Sequence, residues 1–99
     1  MKKINLVCEA RLKKYFSITK EAFKEAKKSK NRLPELKEAR EDFLDMVERY
    51  VKDAEHFHKE RHMINAFAAL NYAHGWLDAG ARIGLFDVHD SRLFTVDDE

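Results

Sequence analysis

Asn71 to Asp87 reads NYAHGWLDAGARIGLFD, and these seventeen residues hold all three glycines of a 99-residue chain together with its single tryptophan, Trp76. Around the glycines the spacing is helical. Met63, Phe67, Leu70, His74, Leu77 and Ala81 recur every three or four residues, which predicts a helix from about Met63 to Ile83 with Gly84 as its left-handed cap. Ala66, Ala69, Ala73, Trp76, Gly80 and Ile83 form a second stripe, and Ala68, Tyr72, Gly75 and Ala79 a third. Asn65, Asn71, Asp78 and Arg82 are left as the polar edge. A helix that is small or apolar nearly all round is a buried one. Glycine inside a helix costs about 1 kcal/mol against alanine, so Gly75 and Gly80 imply a compensating close approach. Gly80 is expected to pack inside the monomer, and the stripe of Ala68, Tyr72, Gly75 and Ala79 to meet a second chain. The competing expectation is that the two preceding helices cover that stripe as well.

Upstream of this segment the chain has one proline and no glycine, with long runs of Glu, Lys, Ala and Leu. Strands are disfavoured and helices favoured by that composition. A first helix is expected over about 3–28, with Cys8, Leu12, Tyr15, Thr19, Ala22 and Ala26 on its apolar stripe and lysines opposite. The link SKNRLP ends it, and Pro34 suits the first turn of a second helix over about 34–60. Leu36, Phe43, Val47, Tyr50, Ala54 and Phe57 form the seam of that second helix. If the chain reverses near His62, facing positions have numbers adding to about 124. Phe57 then meets Phe67, Ala54 meets Leu70, Tyr50 meets His74, Val47 meets Leu77 and Phe43 meets Ala81. The fold class is therefore all-α: a three-helix up-down-up antiparallel bundle forming one domain, residues 1–99, with a short tail over 85–99 packing back through Leu85, Phe86, Leu93, Phe94 and Val96.

Composition narrows the setting. At 44% apolar and 11% aromatic residues the chain can bury a modest core without metal or disulfide staples. Cys8 stands alone, so no internal disulfide can form, and an ordinary half-buried thiol is the expected state. The apolar run from Ile4 to Cys8 is too short for a signal peptide, and no run approaches the roughly 18 apolar residues of a membrane span. These readings point to the cytoplasm and away from a membrane. Charge is uneven: residues 1–41 hold 13 Lys and Arg against 6 Glu, whereas residues 42–99 hold 6 against 12 Asp and Glu. A basic helix lying against an acidic one in the same bundle is the expected reason for such a division, and a nucleic-acid-facing half is the alternative.

The runs DAEHF (Asp53 to Phe57), NAFAALNYAHGWLDAGARIGLFDV (Asn65 to Val88) and RLFTV (Arg92 to Val96) resemble an archaeal family of short helical proteins catalogued as a domain of unknown function, number three-five-seven. The resemblance implies a small helical bundle in an archaeal cytoplasm and carries no activity, cofactor or catalytic residue. At the turn between the last two helices the resemblance leads one to expect Gly-Asp, and this chain has Arg61-His62 there. A left-handed residue there without glycine costs on the order of 1 kcal/mol.

Three constellations invite chemistry. Glu55, His58 and His62 share a helix face but supply only a quarter of a di-iron carboxylate site, so no metal or cofactor is assigned. Tyr50, His74 and Asp78 could line a small ligand or proton-transfer pocket, set against a buried histidine held by its own hydrogen bonds. Lys20, Lys24 and Lys27 could track phosphates, but the aromatics of the first helix lie on its apolar stripe, away from them. No nucleophile motif, oxyanion hole or phosphate loop accompanies these groups, and no catalytic residue is assigned. The expected role is a non-enzymatic assembly or protein-interaction module whose partner is a second copy or another protein. RNA binding through the lysines is the alternative, and the Tyr50, His74 and Asp78 pocket the third reading.

Overall fold

The computed structural model describes residues 2–95, with side chains from Cys8 onward. Three helices make up the fold: α1 (Lys2–Lys28), α2 (Lys37–Lys59) and α3 (Met63–Ile83), with a 3-10 turn (Pro34–Leu36) leading into α2. Among the described residues there is no strand. Proline stands at the start of the 3-10 turn, where a missing N–H breaks no helical bond.

Helix directions follow from the side chains that join them. Arg40, near the start of α2, reaches the carbonyls of Ala26 and Lys27 at the end of α1. His58, near the end of α2, meets Glu9 near the start of α1 at 2.5 and 2.9 Å. α1 and α2 are therefore antiparallel. α3 runs parallel to α1, since Tyr15 packs edge-on against Phe67 and Thr19 meets His74. α3 packs most extensively on α2 and also on α1, whereas α1 and α2 meet each other over less of their length.

The core divides into two clusters along the bundle. Val47, Leu77 and Ala81 share one with half-buried Phe43, and Ala54 and Leu70 share the other with Phe57 and Phe67. Four of the five layers expected from the α2–α3 register thus lie in common clusters. The fifth does not form: Tyr50 turns from His74 and stacks on Tyr72, ring centroids 5.2 Å apart.

Both ends of α3 are set by backbone conformation. At its start Arg61 is the one described non-glycine residue with positive φ, at 63°. The chain thus adopts the left-handed turn without glycine. At its end Gly84 has φ 98°; its N–H donates to Ala81 O, and Leu85 N–H reaches back to Gly80 O at 2.8 Å. This paired motif closes the helix and turns the chain back.

Past Gly84 the chain folds onto the bundle, burying Leu85, Phe86, Leu93 and Phe94 almost completely. Val96 lies outside the described residues. Arg32 N–H donates to Gly84 O and Asp87 N–H to Lys30 O, both at 2.9 Å, which joins the α1–α2 link to the start of the tail. Arg40 locks that junction. Its guanidinium donates to Leu85 O at 2.6 Å and Ser29 O at 2.9 Å in addition to Ala26 and Lys27, and lies over the Phe86 ring. These acceptors include the terminal carbonyls of α1, where the helix dipole favours a cation.

Candidate functional site

One face of α3 remains uncovered. Ile64 is 83% exposed, Tyr72 63% and Ile83 52%, and Ala68, Gly75 and Ala79 between them are exposed as well. The expectation that α1 and α2 cover this stripe is corrected: they pack chiefly on the other faces of α3, with Tyr50 of α2 stacking on one side of Tyr72. Phe43, Ala68, Asn71, Tyr72, Gly75, Trp76 and Ala79 line a shallow groove of about 650 Å³ along the α2 side of the stripe. Its wall is aromatic and preset. Phe43 meets Trp76 edge-on at 4.8 Å, and Tyr50 backs Tyr72 in a nearly parallel stack.

The two interior glycines of α3 serve different ends. A Cβ at Gly80 would stand 2.7 Å from Cδ2 of Phe86, so the tail ring occupies the space a side chain would need. Gly80 packs inside the monomer as expected, although its neighbour is the tail and not another helix. A Cβ at Gly75 would meet nothing within 4 Å. Nothing inside the monomer requires glycine at position 75.

A second hollow, about 400 Å³, lies on the α1 side, lined by Tyr15, Ile18, Thr19, Leu70, Asn71, His74, Gly75 and Asp78. It shares Asn71 and Gly75 with the groove. Of the expected pocket trio, His74 and Asp78 lie here, with His74 Nε2 and Asp78 Oδ1 4.0 Å apart. Tyr50 does not belong to it. His74 is engaged on both ring nitrogens: Nε2 donates to Leu93 O at 2.6 Å, leaving Nδ1 to accept from the buried Thr19 hydroxyl at 3.3 Å. Asp78 Oδ1 accepts from Thr95 N–H at 3.1 Å. Both side chains therefore tie the tail to α3.

The lysines are only partly available. Lys20 pairs with Glu55 at 2.7 Å, and Lys27 lies over the Phe23 ring at 4.4 Å, while Lys24 is exposed. The metal-like set separates: Glu55 faces Lys20, His58 faces Glu9, and His62 leans on the Phe57 ring. Among the described residues no group of three or more His, Cys, Asp or Glu is placed to hold an ion.

A family model described as Protein of unknown function (DUF357) matches residues 14–86. The chain belongs to the DUF357 family. The DUF357 match runs from within α1 to Phe86, so it takes in the whole α2–α3 hairpin, both interior glycines of α3 and the ring that fills Gly80. Neither a curated protein nor a solved structure matches the chain. No helix among the described residues is long and apolar enough to cross a membrane.

Sequence patterning singled out Ala68, Tyr72, Gly75 and Ala79 but missed Phe43, Ile64 and Ile83 around them. Ile83 shares a stripe with buried Gly80, yet as the last residue of α3 it is half exposed. Ile64 carried a readable signal: it follows the seam residue Met63 and lies one turn before Ala68.

Proposed function

We propose that this chain is a non-enzymatic protein-docking module whose working surface is the exposed face of α3: Ala68, Tyr72, Gly75 and Ala79, with Phe43 and Trp76 as the wall. The observation that carries the reading is Gly75. Its helix-propensity cost of about 1 kcal/mol has no compensation within the monomer, and its open backbone forms the floor of an apolar, aromatic-walled groove. Exposed apolar patches mark interaction surfaces, and aromatic side chains are enriched in them. The polar groups of the neighbouring hollow are occupied in holding the tail, which favours docking over catalysis there. An archaeal cytoplasmic setting belongs to the same proposal and rests on the sequence resemblance and the lone cysteine.

The test is binding of the apolar dye anilinonaphthalene sulfonate to dilute protein, compared with the Tyr72→Lys variant and with single-stranded RNA in a parallel titration. Docking predicts dye fluorescence that the variant loses, and no retention of RNA. Salt-sensitive RNA binding abolished by Lys20→Glu, Lys24→Glu and Lys27→Glu together would instead assign the function to α1.

A further inference from the structure

The exposed face of α3 matches its own inverse. From one end to the other its small and apolar outward residues are Ile64, Ala68, Tyr72, Gly75, Ala79 and Ile83, with exposed Asn65, Asn71 and Arg82 along the edges. Inverting the helix about the midpoint between Ala73 and His74 sets Tyr72 opposite Gly75, Ala68 opposite Ala79 and Ile64 opposite Ile83. The largest side chain on the face then meets the one position that has none. We propose that two copies of the chain pair through α3 in antiparallel register about this midpoint, the Tyr72 ring of each lying over Gly75 of the other. The pairing rests on the docking reading of this face and names its occupant.

Two further features agree with a second copy as that occupant. Ala68, Tyr72, Gly75 and Ala79 keep the four-three-four spacing of a helix-packing seam, and small residues at three of the four positions permit close axes. Asp78 and Arg82 are the only Asp, Glu, Lys or Arg residues in α3, and inversion places Arg82 opposite Asn65, so the seam opposes no like charges.

Interface size defines what else must take part. From Ile64 to Ile83 the helix spans roughly 28 Å at 1.5 Å per residue. One helix face of that length falls short of the roughly 800 Å² per partner that a stable pair buries. The flanks supply the remainder: Phe43 and Tyr50 from α2, and Tyr15, 39% exposed, from α1.

Cysteine pairing in a Cys8→Ser background tests the register. Ala68→Cys chains mixed with Ala79→Cys chains should give a disulfide-linked dimer on oxidation. Ala68→Cys alone should not, because the two copies of residue 68 would stand roughly 16 Å apart along the axis, beyond disulfide reach of about 7 Å. Gly75→Ala should stabilise the diluted monomer, since a Cβ meets nothing there, yet weaken dimerisation. Gly75→Leu should weaken it by about thirtyfold or more, the loss expected at a central contact. A purely structural role for Gly75 would move stability alone. Self-linking of Ala68→Cys, or a dimer indifferent to Gly75→Leu, overturns the pairing. A monomer that still takes up dye lost on Tyr72→Lys overturns the pairing but leaves the docking face standing; a monomer without that dye signal overturns both.

Discussion

Phe86 lies where a side chain at Gly80 would stand. A ring from the tail thus fills the gap that a glycine in the last turn of α3 leaves, and the capping motif at Gly84 turns the chain to deliver it. Gly80→Ala forces the ring aside at an overpacking cost of about 1–3 kcal/mol, against a helix-propensity gain of about 1 kcal/mol. Thermal unfolding should show a net loss, and a double-mutant cycle with Phe86→Leu should reveal coupling between the two positions.

Arg40 joins three segments at one end of the bundle through carbonyls that would otherwise lack these bonds. Arg40→Ala is expected to destabilise the chain by about 2–3 kcal/mol, in the range for charged hydrogen bonds at a helix C-terminus. Arg40→Lys should recover only part of that, because one ammonium cannot span the fork of acceptors. Urea titration of the two variants separates these outcomes.

Arg61 holds a left-handed conformation at φ 63° while its side chain is exposed. Relief of the strain by Arg61→Gly is partly offset by the entropy of a glycine in the unfolded chain. The net expectation is a gain of about 0.5–1 kcal/mol, read as a higher melting temperature with no change in association.

His74 connects the Thr19 hydroxyl to the Leu93 carbonyl. His74→Ala removes both bonds and leaves the buried Thr19 hydroxyl without its partner, at about 1–3 kcal/mol. Amide exchange should accelerate first around Leu93 to Thr95, ahead of α2. Exchange that rises uniformly along the chain would contradict a tail-holding role.

The α2–α3 hairpin was readable because both seams repeat at helical spacing and a single reversal near His62 registers them. Gly84 announced its own cap, and α3 spans Met63–Ile83 as its periodicity predicts. Tyr50 misled because seam spacing assigns a layer without saying toward which neighbour a long ring leans. Arg40 left no pattern to read: its partners are backbone carbonyls, which look alike in every residue. Phe86 as the occupant of the Gly80 gap was likewise hidden, since it comes from beyond the helix and reaches its place only once the tail has turned. The uncovered stripe was readable as composition, but its exposure depends on where α1 and α2 pack.

Light scattering on the untagged chain, coupled to size-exclusion chromatography over a dilution series, tests pairing through α3 most directly. The predicted result is a mass about twice the 11.7 kDa of one chain at high concentration, falling toward one chain on dilution and on Gly75→Leu. A single-chain mass at every concentration, or a dimer that Gly75→Leu leaves intact, would contradict it.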